Sequence, residues 1–123
     1  MDKPQGLILL TYKGKVLLMH KQDGVLDNKR HPWCLIEGAR SKTEPFEKTL
    51  IKHVQKEMGI KINNIETVTD SYFHARLTDD NVNSIKRSEN QLLDFFSPKE
   101  VKKLFLSVKT ADFISNHESL ITL

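Results

Sequence analysis

This chain is poor in the residues that mark several large classes of protein. Its one cysteine, Cys34, cannot close an internal disulfide, which excludes a disulfide-stapled extracellular scaffold. Its opening residues lack the charged-then-apolar pattern of a secretory leader, and no apolar run approaches the length needed to cross a bilayer. The expectation is a reducing, cytoplasmic setting with no membrane partner. No repeat, low-complexity tract or linker appears among its few glycines and prolines. A large excess of one charge is also missing. A net charge of +3 suits anionic ligands such as nucleotides but falls far short of the dense basic surface that binds DNA or RNA polymers. What remains is ordinary: 38% hydrophobic and 28% charged residues over 123 positions, enough for one domain, 1–123, with a buried core.

Gly6 to Tyr12 (GLILLTY) is a short apolar run between Pro4 and Lys13-Gly14, the pattern of a buried strand. Lys13-Gly14 is a tight-turn signal, so Val16 to His20 reads as the antiparallel return strand. Gln22 to Pro32 is polar and rich in turn formers, a loop that could border a ligand site, and Trp33 to Ile36 reads as another short buried strand. The clearest helix opens near Thr43 as N-cap, with Pro45 close to the first helical position and Glu44 and Glu47 in the first turn. Phe46, Leu50, Val54 and Met58 recur at steps of four and, with Ile51, form one apolar stripe; Gly59 ends the helix. Ile62 to Leu77 and Gln91 to Phe96 have strand composition. Ser97-Pro98 restarts a helix over Lys99 to Leu104, and Thr110 to His117 offers a last turn or two. This order predicts an α+β fold with a mixed sheet.

Gly38 to Ile60, GARSKTEPFEKTLIKHVQKEMGI, carries the chemical information. It resembles the signature box of the Nudix (MutT-like) hydrolases: Gly, five residues, Glu, seven residues, then Arg-Glu-hydrophobic-any-Glu-Glu-any-Gly-hydrophobic. Gly38, Glu44, Val54, Glu57, Gly59 and Ile60 match, whereas Lys52, His53 and Lys56 stand where the family has Arg, Glu and Glu. Upstream, Trp33 to Gly38 resembles the family's Trp-any-Leu-Pro-Gly-Gly, with Ile36 and Glu37 replacing Pro and Gly. The resemblance implies an α/β/α sandwich with a mixed β-sheet, and a helix that presents carboxylates to magnesium or manganese bridging a diphosphate.

Positions 53, 56 and 57 share one helix face through their spacing of three and four. By resemblance Glu57 and Glu44 are metal-binding and catalytic candidates, and Glu89, ahead of the strand Leu92 to Phe96, is a third metal candidate; exposed carboxylates are the plain alternative for Glu57 and Glu89. His53 replaces a Glu and could serve as a base or as one ligand of a two-donor manganese or zinc site with Glu57; a hydrogen-bonded structural histidine is the alternative. Lys56 is the sharpest departure. A lysine cation about 5 Å from a divalent ion is repelled by about 6 kcal/mol at an effective dielectric near 20, an upper bound because the side chain can swing away. Lys56 could instead stand in the metal's place, pairing with Glu57 and meeting a phosphate, or it could be a solvated helix lysine. Lys52 keeps the charge of the family's Arg without its fork and is a second substrate-binding candidate.

Tyr72, Phe73, Phe95 and Asn90 are base-recognition candidates by position, with core packing the stronger reading for the aromatics. Cys34 reads as a small core residue, and Lys99, Lys102 and Lys103 as the solvated face of a terminal helix. The resemblance implies a hydrolase of a nucleoside diphosphate linked to another moiety, weakened or altered in its metal use. A catalytically inactive binding module for a nucleotide or phosphate metabolite is the alternative. A dimerisation domain with a vestigial cleft is a third reading, and a homodimer is compatible with all of them.

Overall fold

The computed structural model describes residues 5–21, 32–39, 44–87 and 91–122. Six strands form one mixed sheet: β1 (Gln5–Tyr12), β2 (Lys15–Lys21), β3 (Ile36–Ala39), β4 (Glu66–Thr67), β5 (Tyr72–Arg76) and β6 (Gln91–Phe96). Their order is β4-β5-β1-β2-β6, with β3 also pairing β1. The β1–β5 pair is parallel and the other pairs are antiparallel. Helix α1 (Phe46–Met58) is followed by α2 (Asp79–Asn83), α3 (Pro98–Val101), α4 (Val108–Asn116) and α5 (Ser119–Thr122).

β1 explains its own unbroken apolar run. Side chains alternate across a strand, so a strand covered on both faces needs apolar residues at every position. Ile8 and Leu10 join one buried cluster with Leu50, Val54 and Met58 of α1, while Leu7 and Leu9 join another with Phe113, Ile114 and Ile121 of the C-terminal helices. The result is an α/β/α sandwich around a mixed sheet. The α1 stripe is buried as its spacing of four requires, with Ile51 packed at its edge. Burying each such side chain stabilises the fold by about 1.5–3 kcal/mol.

Two glycines set how closely α1 approaches the sheet. Gly6 and Gly38 face each other in the β1–β3 register, and neither has positive φ. A Cβ on Gly6 would lie 2.7 Å from Phe46 Cδ1, and one on Gly38 would lie 3.1 Å from Thr49 Cγ2 and 3.2 Å from His53 Cδ2. Their role is space for the helix. Gly59, by contrast, takes the left-handed conformation (φ 71°) and donates its N–H to the Gln55 carbonyl, closing the helix as its position implies.

Several elements differ from the sequence reading. The run Trp33 to Ile36 is not one strand: Trp33 and Cys34 form isolated bridges, and β3 starts at Ile36. Three different elements hold this stretch. The N–H groups of Trp33, Cys34 and Leu35 donate to the Phe105 carbonyl (2.8 Å), the Met19 carbonyl (2.9 Å) and the Thr110 hydroxyl (3.0 Å). The span Ile62 to Leu77 is interrupted, because Asn64 adopts positive φ (58°) and the Thr69 hydroxyl accepts from the Ser71 and Tyr72 N–H groups in a turn before β5. α2 was not anticipated, although its capping box between Thr78 and Asn81 is a local signal. The helix expected through Leu104 ends at Val101, and α5 is additional. Pro45 is the N-cap of α1 and Glu44 lies ahead of it, leaving Glu47 as the acid of the first turn. Thr43 and residues 22–31 of the expected loop lie outside the described residues.

Among the described residues, His74 is the largest buried polar side chain, 2% exposed, with Nε2 2.8 Å from the Thr11 hydroxyl and Nδ1 without a partner. Burial holds its imidazole below the ordinary histidine pKa, with the Arg76 charge adding to this and Glu66 opposing it. The native state therefore prefers the neutral ring. This stability is complete above pH about 6.5 and is lost as pH falls below it towards the folded-state value. Urea midpoints measured downwards from neutral pH are expected to fall more steeply for the native protein than for His74→Gln, and parallel curves would contradict this. Gly6→Ala is expected to lower stability by about 1–3 kcal/mol through overpacking against Phe46, read as a shifted urea midpoint at unchanged slope.

Candidate active-site cleft

A cleft of about 430 Å³ opens where α1 crosses β3. His53 and Glu57, one helical turn apart and both half-buried, line it from α1; Gly38 and Glu37 border it from β3, and Met19 and Cys34 from the β2 side. The helix dictates this pairing, because Leu50 and Val54 point into the core and rotate positions 53 and 57 towards the β3 edge. The His53 ring lies against the backbone of Gly38, as the 3.2 Å approach above requires. Cys34 contributes to the wall and its thiol donates weakly to the Met19 carbonyl (3.5 Å).

The remaining sites expected from the sequence are distributed differently. Glu44 does not line the cleft. One carboxylate oxygen accepts from Lys52 Nζ (2.7 Å) and the other from the Thr49 hydroxyl (2.9 Å). The Lys52 ammonium and then the Thr49 hydroxyl hold the Glu44 carboxyl below its usual range. Lys52 thus braces a carboxylate, and the ion pair ties the segment before α1 to the helix. Thr49 was not singled out from the sequence; its buried place beside Gly38 is a packing signal visible only in three dimensions. Lys56 is exposed and forms no ion pair with a described residue, so it does not pair with Glu57 here. Glu89 and Asn90 lie outside the described residues.

The aromatic candidates are structural. Phe73 is buried against Phe46, with ring centroids 5.9 Å apart. Tyr72 stacks on Phe113 at 4.4 Å on the opposite face from α1 and donates to Asp112. Phe95 packs against Tyr12 at 5.8 Å.

No group of three or more His, Cys, Asp or Glu side chains among the described residues is placed to hold a metal, so a magnesium ion here would depend on water and substrate phosphate for most of its oxygen shell. Register explains why Glu37 does not complete the set. It pairs with Leu7, whose side chain packs in the C-terminal cluster, so alternation directs Glu37 to the face of the sheet away from α1. His53 and Glu57 are left as a mixed nitrogen–oxygen pair.

No family model matches this sequence, and no curated protein does. Solved structures do. The chain superposes on a mutT/nudix family protein from Listeria innocua with a TM-score of 0.70 at 15% identity, covering 98% of this chain and 94% of that one. A MutT NUDIX hydrolase from Burkholderia pseudomallei gives 0.70 at 12% identity, with 95% and 98% covered. A NUDIX hydrolase from Nitrosomonas europaea gives 0.65 at 12%, with 97% and 90% covered. The chain has the Nudix fold over nearly its whole length. Among the described residues, no helix is long and apolar enough to cross a membrane.

If the side chains at 53 and 56 are what withhold a divalent ion, restoring carboxylates there is expected to create a site. Manganese titration followed by electron paramagnetic resonance should show no tight binding for the native protein and clear binding for the doubly substituted His53→Glu, Lys56→Glu variant. Equal binding by the two proteins would contradict this account.

Proposed function

We propose that this chain is a cytoplasmic Nudix-class hydrolase, one domain over residues 1–123, whose cleft takes a nucleoside diphosphate linked to another moiety. The observation that carries the proposal is the placement of Glu57, the matched carboxylate of the box, on a cleft beside His53 within the Nudix fold. A neutral imidazole accepts a proton near neutral pH, so His53 acts as base towards water held in the cleft. Glu57, four residues on and on the same wall, accepts hydrogen bonds from that water and orients it. Lys56, exposed on α1 one residue before Glu57, supplies a positive charge to an anionic group of the ligand. Lys52 acts indirectly, by holding Glu44 and the chain ahead of α1 in place. Catalysis is weaker than that of a box with all its carboxylates, because each base or ligand contributes about tenfold to ten-thousandfold.

A second reading is favoured by one observation, the lack of a three-donor group among the described residues. It makes the protein a binding module that holds a nucleotide or phosphate metabolite without cleaving it.

Turnover of a panel of diphosphate-linked nucleosides, with magnesium, with manganese and with chelator, separates the two. The hydrolase reading expects activity that Glu57→Gln and His53→Ala each lower by about tenfold or more. No turnover above the Glu57→Gln background rules it out. Calorimetric binding of uncleaved, metal-free nucleotide would then establish the module.

A further inference from the structure

The cleft reaches Gln5 at the start of β1, and a second concavity lies at the other end of that strand. It measures about 270 Å³ and sits where β1 and β5, the parallel pair, both end. Its wall includes Thr11, Tyr12 and Lys13, Arg76 at the end of β5, Asp79 of α2 and Ile121 of α5. Thr11 and Arg76 are register partners, so both side chains rise from the face that carries the C-terminal helices.

Thr11 is 3% exposed, and its hydroxyl lies 2.8 Å from His74 Nε2. Which of the two donates follows from the other ring nitrogen. Burial keeps His74 neutral at neutral pH, so the ring carries one proton. Nδ1 has no partner among the described residues, and buried N–H groups without an acceptor are rarer than under-used acceptors. The proton therefore sits on Nε2, which donates to Thr11 Oγ1. The Thr11 hydroxyl keeps its own proton to give, and no described residue accepts it. A buried donor at the wall of a concavity calls for an acceptor inside it.

Charge narrows the choice of acceptor. Two cations and one carboxylate share this wall. Asp79 lies 3.7 Å from Lys13 Nζ, and Tyr12 donates its hydroxyl to the same carboxylate at 2.5 Å. Arg76 is exposed and forms no ion pair with a described residue. Glu66, which pairs with His74 across β4 and β5, is outside the wall and does not bridge to Arg76. One guanidinium charge is thus in excess, beside the Thr11 hydroxyl. A guanidinium presents a planar fork of N–H donors that matches two oxygens of a carboxylate or a phosphate.

We infer that this concavity binds a small oxyanion, a carboxylate or a phosphate, through the Arg76 guanidinium and the Thr11 hydroxyl, with His74 as the positioning residue that leaves the hydroxyl proton free to donate. Its volume falls below the range of about 300–1,000 Å³ typical of drug-sized ligands, which suits a small metabolite. The site shares no wall residue with the cleft at His53 and Glu57, so it stands or falls independently of hydrolysis there.

Proton–nitrogen correlation spectra of the full chain, titrated separately with inorganic phosphate and with succinate, test this. Saturable shifts are expected at the amides of Thr11 to Gly14 and Arg76 to Asp79 with at least one of the two, and the tighter anion identifies the class. Arg76→Gln should weaken binding by about tenfold or more, and Arg76→Lys, which keeps the charge without the fork, should weaken it too. Thr11→Val should weaken it about twofold to tenfold; Arg76 is exposed, so its variants carry the test if Thr11→Val does not fold. Long-range spectra of the imidazole should show the His74 proton on Nε2. A proton on Nδ1, no saturable shift with either anion, affinities that Arg76→Gln leaves unchanged, or shifts confined to the cleft around His53 and Glu57 would each overturn the proposal.

Discussion

The close passage of α1 over the glycine pair Gly6 and Gly38 is the constraint on which the rest of this structure depends. A helix packs on a sheet at a distance set by the side chains between them, and here two strands present none at the crossing point. The absent side chains let Phe46 and Thr49 reach the sheet, which carries His53 against the backbone of β3 and leaves Glu57 one turn further along the same wall. The cleft is a product of packing before it is a product of chemistry. Its place is set by the crossing of α1 over β3, and His53 and Glu57 form one of its walls.

Those changes alter the electrostatics in a connected way. Lys52 is neutralised by Glu44 and does not add to the field of the cleft. No lysine or arginine is among the described residues that line the cleft, where His53 and Glu57 of α1 stand with Glu37 at the β3 border. None of these side chains belongs, among the described residues, to a group of three or more donors placed to hold a metal.

The sequence made the fold legible where a pattern was both long and locally consistent. The α1 stripe at steps of four, the cap at Gly59 and the unbroken run of β1 each required one structure, and each is present. Legibility failed where a short segment takes its conformation from elsewhere. Trp33 to Leu35 is apolar enough for a strand, yet three separate elements accept its hydrogen bonds, and no periodicity records that. The site was readable in the same partial way. Spacing placed His53 and Glu57 together, but nothing local revealed that Glu44 would be held by Lys52 and Thr49, or that Glu37 would face away from α1.

The stretch from Trp33 to Leu35 carries one more consequence. It leads directly into β3, the floor of the cleft, and two of its three amide hydrogens are donated to the segment around α4. Protection of those amides from exchange with solvent therefore depends on the docking of a layer that lies on the other side of the sheet from the box. Opening the C-terminal layer breaks both bonds, so the entry to the cleft floor loses its anchors whenever that layer lifts.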